Sequence, residues 1–257
     1  MPSFIRLCLS IVLILAAAVP ARAITGGSPA EPDIARHLVM LTSRKSFCTA
    51  IVIAPRLLLT VAHCVDGADE IRRLRFAEDG SAVLDLIERI SIHPRYNAAA
   101  YRKRQFTIDV ALVSLPEPID GGFVPLPLPS EGEDGILGAR YRIAGFGLSI
   151  EGDGRSGGVL REALLRGIGP VSDVQLRLES AAGAMVGACQ GDSGGPVLRV
   201  SDAEGNRVPP VLVGLLASAK AADGGRGCGG RTGTALLKPA LEWIRAEARR
   251  LGVTLSP

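Results

Sequence analysis

Residues 189–196 read Cys-Gln-Gly-Asp-Ser-Gly-Gly-Pro, and Gly191-Asp192-Ser193-Gly194-Gly195-Pro196 within them decides how the rest of the chain is read. A serine set among glycines lets a substrate carbonyl come close to the main chain. The same glycines leave N–H groups free to meet a developing oxyanion. The run also satisfies G-x-S-x-G, the nucleophile elbow of α/β-hydrolases, whose histidine follows the serine in the chain. Here His37, His63 and His93 all precede Ser193. An elbow would lack its base, so that alternative fails on chain order.

Working upstream, Thr60-Val61-Ala62-His63-Cys64 supplies a histidine beside a cysteine that a disulfide can lock. Thr107-Ile108-Asp109-Val110-Ala111-Leu112 sets an acid inside an apolar run. A carboxylate there is costly to bury unless it is paired, and orienting a histidine is one good reason to keep it. His63, Asp109 and Ser193 follow the order of the chymotrypsin-type triad. His93, in the run His93-Pro94-Arg95-Tyr96-Asn97, is expected to be structural, and isolated His37 to be a surface or partly buried residue. Asp33 before His63 imitates subtilisin order, but nothing subtilisin-like surrounds it.

The chain has 257 residues, 47% of them hydrophobic and 21% charged, which excludes a disordered chain. Its 31 glycines and 4% aromatics favour many turns over long helices. Short apolar runs follow one another: Ser46–Ile53, Leu57–Ala62, Asp109–Leu115, Tyr141–Phe146, Pro196–Val200 and Val211–Leu216. Leu84, Leu86, Ile90 and Ile92 share one alternation phase and suggest a half-buried strand, as do Val174, Leu176 and Leu178. Gly121-Gly122 with Pro125, Pro127 and Pro129 break regular pairing near the middle, which suits a linker between two β units. Leu148–Val159 is glycine-rich and is expected to be a mobile surface loop. From Pro239, the residues Leu241, Ile244, Ala248 and Leu251 recur at helical spacing up to Gly252.

Residues 1–23 form a separate object. Arg6 precedes the uncharged run Leu7–Val19, and Ala21-Arg22-Ala23 has the small-x-small form of a cleavage site. This is the pattern of a secretory signal peptide; the apolar run falls short of the roughly 20 residues of a spanning helix. Removing Arg6 and Arg22 from the 29 lysines and arginines leaves 27 cations against 26 acids, with no basic block for nucleic acid. Cys8 leaves with the leader, and Cys48, Cys64, Cys189 and Cys228 remain without a C-x-x-C spacing. Of the three possible pairings, the local one, Cys48–Cys64 and Cys189–Cys228, is the expectation. Closing a loop of the first size contributes about 3 kcal/mol in the chain-entropy account.

These residues together resemble a trypsin/chymotrypsin-like serine protease of the S1 family. Ile24-Thr25-Gly26-Gly27 resembles that family's mature N-terminus. Phe47-Cys48 and Thr60–Cys64 resemble the segments carrying its histidine, and His93–Asn97 with Asp109–Leu112 its acid region. Gly145-Phe146-Gly147 resembles its G-W-G turn with Phe for Trp, and Cys189–Pro196 its nucleophile loop. The resemblance implies an all-β fold of two six-stranded antiparallel β-barrels and a C-terminal α-helix. The N-terminal barrel would span about 24–121, a linker about 122–135, and the second barrel with the helix about 136–257. It implies His63 as general base and acid, Asp109 as its orienter and Ser193 as nucleophile. The N–H groups of Gly191 and Ser193 would form the oxyanion hole. The new amine of Ile24 would pair with Asp192; cleavage after Ala23 would free that amine without a separate zymogen step, whereas cleavage after Ala18 or Ala21 would leave a short pro-segment.

By the same alignment Gly187 is the base of the primary pocket, with Ala219 and Gly233 on its walls. The family's S-W-G strand appears as Ala217-Ser218-Ala219, and the stretch Lys220–Gly227 is longer than usual, so that Asp223 or Arg226 could point inward. Without an acid at Gly187, an uncharged residue, small or medium aliphatic, is expected before the scissile bond. The expected partner is a protein or peptide substrate, with a monomeric, secreted or periplasmic enzyme free of any membrane anchor. No cofactor or metal is implied, because Arg72, Arg73 and Arg75 interrupt the acidic stretch Glu70–Asp79. Two other classes compete: a catalytically silent homologue that binds a partner, and an esterase using the same triad.

Overall fold

The computed structural model describes residues 24–76, 81–103, 105, 107–181 and 184–255. The expected leader, residues 1–23, lies outside them. The described elements run in the order β1 (Ser28–Pro29), α1 (Pro32–Ala35), β2 (Leu38–Thr42), β3 (Phe47–Ala54), β4 (Leu57–Thr60), β5 (Arg72–Phe76), β6 (Ala82–Leu86), β7 (Arg89–Ile92), α2 (Ala98–Arg102), β8 (Ala111–Ser114), β9 (Arg140–Gly145), β10 (Arg161–Ser172), β11 (Gln175–Glu179), β12 (Pro196–Ser201), β13 (Arg207–Ala219), β14 (Thr232–Leu236) and α3 (Leu241–Arg250). Apolar runs such as Leu57-Leu58-Leu59 are buried along their whole length, as strands packed on both faces must be.

All pairings are antiparallel and fall into two sheets. One has the order β6-β5-β2-β3-β4-β8-β7 and stays open. The other runs β1-β10-β11-β14-β13-β12-β9, and a further β9–β10 pairing closes six of its strands into a barrel, with β1 added at its edge. The paired barrels implied by the resemblance are therefore present, one closed and one half-open.

The single strand expected from Leu84, Leu86, Ile90 and Ile92 is not formed. β6 and β7 are separate and make the two edges of the open sheet. Leu84 and Leu86 are 56% and 61% exposed. The other face of β6 carries Asp85, which pairs with Arg73 and Arg75 of β5. That ion pair, with Arg73 buried, fixes which face of β6 turns inward, and alternation of apolar residues does not reveal it.

Between β8 and β9 no strand lies among the described residues. Val124 N donates to Arg36 O (3.0 Å), Leu126 N donates to Val52 O (2.8 Å), and the His37 ring bonds Val124 O, so this stretch is tied along the first sheet. The segment Leu148–Val159 is also less free than expected. Leu148, Ser149 and Ser156 are buried, and Ser156 Oγ accepts from Ser149 N (3.2 Å) and Ile150 N (3.0 Å). The C-terminal helix forms as expected behind a 3₁₀ turn at Lys238–Ala240, with Ile244 and Ala248 buried. Its Trp243 meets His93 edge-on, centroids 4.9 Å apart, which gives His93 a packing role. The helices α1 and α2, of four and five residues, were too short to leave a periodic signal.

Candidate active site

β4 ends at Thr60, and a 3₁₀ turn at Ala62–Cys64 presents His63. The disulfide Cys48–Cys64 ties that turn to β3. Asp109 is buried just ahead of β8 and holds the histidine at two points. Its Oδ1 accepts from His63 N (2.9 Å) and its Oδ2 lies 2.6 Å from Nδ1. This grip fixes the ring's rotation and directs the Nδ1 proton toward the carboxylate, which leaves Nε2 as the basic nitrogen. On one face of the imidazole lies Tyr101, from α2, with ring centroids 4.4 Å apart and planes 11° from parallel. Burial and nearby Asp109 push the Tyr101 phenol up to about 12, so it stays neutral.

Ser193 sits on the turn between Cys189 and β12. The neighbouring amides are engaged: Asp192 N donates to Cys189 O (3.2 Å), Gly194 N to Leu216 O (2.8 Å) and Gly195 N to Asp192 O (2.9 Å). Those of Gly191 and Ser193 donate to no acceptor among the described residues. Gly191 has φ +95°, and a Cβ there would stand 2.2 Å from the Phe47 ring, so only glycine fits. Ser193 Oγ makes no hydrogen bond to His63 in this structure; such bonds commonly tighten only when substrate is bound.

One residue that sequence reasoning missed joins the two halves. Thr49 of β3, fully buried, donates its N–H to Ser193 O (2.8 Å) and its hydroxyl to Gly191 O (3.1 Å). Its Oγ1 also accepts from Phe146 N (3.1 Å). A threonine in a β run reads as ordinary strand propensity, so the sequence carries no separate signal for this role.

Asp192 is fully buried. Its Oδ1 accepts from Gly147 N and its Oδ2 from Cys189 N, each at 2.8 Å. A Cβ at Gly147 would lie 2.4 Å from Asp192 Cγ, which explains the glycine. No cation pairs with Asp192 among the described residues, and desolvation pushes its carboxyl up to about 7 against the pull of the two amides. Ile24 is fully buried as well, and Thr25 bridges to Gly187, whose N–H donates to Thr25 O (3.1 Å).

A cavity of about 740 Å³ opens from Asp109, Tyr101 and Ser193 along Ala217-Ser218-Ala219. Ala219 and Gly233 line it as expected. Gly187 does not. It is buried, and a Cβ there would lie 2.9 Å from Gly230 O and 3.1 Å from Thr232 Oγ1. The Gly230 carbonyl and the fully buried Thr232, whose Oγ1 accepts from Ala188 N (3.0 Å), together take up the space a side chain at Gly187 would need. Arg226 lines the cavity, whereas Asp223 turns back to accept from Gly225 N (2.8 Å). The second disulfide, Cys189–Cys228, joins the loop carrying Ser193 to the far rim. Asp33 has no part in the site; it pairs with Arg142 (2.7 Å), which holds its carboxyl below the usual range.

Known proteins bear on this geometry. Human serine protease 56 is 33% identical over 226 residues, 80% of this chain and 35% of that protein. Pig coagulation factor XII is 28% identical, covering 85% of this chain and 37% of its own. The chain thus spans about a third of the length of these relatives. Brachyurin of Leptuca pugilator, 28% identical, is matched over 68% of this chain and 80% of its own. The solved structure of human heparin binding protein superposes with a TM-score of 0.71 at 19% identity, covering 91% of this chain and all of that one, which speaks for the fold alone. The family model for trypsin matches residues 24–240, from the first described residue through the loop carrying Ser193 to the turn before α3. The chain belongs to the trypsin family.

Proposed function

We propose that this chain, freed of residues 1–23, is an exported, monomeric serine endopeptidase that cleaves peptide bonds through an acyl-enzyme. The observation that carries the proposal is the two-point grip of Asp109 on His63, at 2.9 and 2.6 Å, with Asp109 and Ser193 lining one cavity. Ser193 Oγ attacks the carbonyl, His63 takes its proton and returns it to the leaving amine, and Asp109 steadies the imidazolium. The amides of Gly191 and Ser193 receive the oxyanion; losing one such donor lowers kcat roughly a hundred- to thousand-fold.

Two finer features belong to the proposal. The free amine of Ile24 would supply the cation that buried Asp192 lacks, and breaking one side of such a pair costs about 3–5 kcal/mol. Mass spectrometry of the exported N-terminus is expected to give Ile24; a start before Ile24 on fully active protein overturns this. Ala217, Ala219 and Gly233, small uncharged residues on the cavity wall, support cleavage after small or medium aliphatic residues, and a profile dominated by Arg or Lys counts against it.

The silent homologue is the second possibility, favoured by the absence of a bond from Ser193 Oγ to His63 and by the Trp-less Ala217-Ser218-Ala219 strand. A fluorophosphonate probe separates the two. Labelling of processed protein that disappears in Ser193→Ala supports the enzyme, and its absence supports the silent homologue. Hydrolysis of a peptide amide, compared with an ester, then distinguishes a peptidase from an esterase.

A further inference from the structure

The cavity wall is charged in a way the chain as a whole is not. Five cations line it: Arg102, Arg177, Lys220, Arg226 and Arg231. The carboxylates on the wall are Asp109, which is taken up by His63, and Glu151, which accepts from Cys228 N at 3.3 Å. Residues 24–257 as a whole carry 27 cations against 26 acids, so this is a local concentration.

Sheet register explains how three of the five come together. Ser218 of β13 pairs with Gly233 of β14, and Gly233 pairs with Arg177 of β11. One step further, Lys220 N donates to Arg231 O at 2.9 Å. Arg177, Lys220 and Arg231 therefore border the Ser218–Ala219 strand, while Arg102 follows Tyr101 at the opposite rim. Arg231 has only a loose, half-exposed contact with Glu179, 3.8 Å away. The side chains of Arg102, Arg177, Lys220 and Arg226 make no ion pair or hydrogen bond among the described residues. Cations of one sign along a cleft raise the local concentration of an oppositely charged ligand and speed its arrival.

We infer that the cavity selects acidic polypeptide segments: with the substrate backbone laid along Ala217-Ser218-Ala219, which resembles the family's substrate-pairing strand, Asp and Glu side chains in the residues preceding the scissile one lie against Arg177, Lys220 and Arg231. This rests on the protease proposal and names its substrate class.

The test uses the processed chain and peptides identical at the scissile residue, with Glu, Gln or Lys at the four positions before it. Expected is an order Glu over Gln over Lys in kcat/KM, roughly tenfold from end to end at low salt and shrinking as ionic strength rises. Arg177→Gln and Lys220→Gln are each expected to reduce the Glu preference about two- to fivefold, and R177E/K220E/R231E to reverse it toward Lys. Equal cleavage of the three peptides at low salt overturns the inference. Fluorescence anisotropy of the same labelled peptides on Ser193→Ala reads binding without turnover. Preferential binding of the Glu peptide supports the charge selection even if the native chain fails to label with fluorophosphonate, and equal binding of all three overturns it.

Discussion

Tyr101 lies flat on the imidazole of His63, 4.4 Å from ring to ring. It covers one face of the imidazole and lines the cavity beside it, where it would crowd a substrate side chain next to the scissile residue. Tyr101→Ala is expected to favour peptides with a bulky residue at that position by roughly tenfold in kcat/KM relative to peptides with glycine there. Tyr101→Phe keeps the stack and should keep the wild-type ratio. Steady-state kinetics on the peptide pair decide, and an unchanged ratio in Tyr101→Ala removes the steric role.

The two bonds from Asp109 make it the arbiter of which nitrogen of His63 carries the proton. Asp109→Asn keeps the size but presents a donor to Nδ1, and is expected to lower kcat by about 10⁴. The far-ultraviolet circular dichroism spectrum should not change. A loss of tenfold or less shows that Asp109 does not set the tautomer.

Asp192 gives a pH signature to the unprocessed chain. Its folded carboxyl sits near 7, above the ordinary 3.8, so the folded state binds this proton more tightly than the unfolded state. The stabilising contribution is full below about pH 4 and is lost as pH rises through about 7. Denaturant unfolding of unprocessed protein is expected to show declining stability across that window, flattened by Asp192→Asn. With the Ile24 amine free, the neutral-pH loss should disappear. Parallel pH curves for unprocessed and processed forms would separate the Ile24 amine from Asp192.

Thr49→Val removes a hydroxyl and keeps the shape. Gly191 O and Phe146 N then lose their partner in a buried site, at a cost of about 1–3 kcal/mol. The midpoint of unfolding should fall and fluorophosphonate labelling should slow, with both restored in Thr49→Ser. A stable variant that labels at the wild-type rate would show that the hydroxyl is dispensable.

Much of this site can be read from the sequence because its chemistry is local. A serine among glycines, a histidine beside a half-cystine and an acid in an apolar run each require particular neighbours, and those neighbours are consecutive residues. What escapes is set across strands or between halves. Gly230 O and Thr232 Oγ1 crowd Gly187 from a segment distant in sequence. Thr49 works through atoms 97 and 142 residues away. Tyr101 reaches His63 from a helix too short to show a period. Leu84 and Leu86 look like core until the ion pair beneath β6 is seen.

The edge contact between Trp243 and His93 fastens α3 to the first half. Ile244 and Ala248 of the same helix pack in one cluster with Leu112 and Val113 of β8. Peeling α3 away therefore strips a wall from a core that lies far from it in sequence, so the two halves are expected to melt together rather than one at a time.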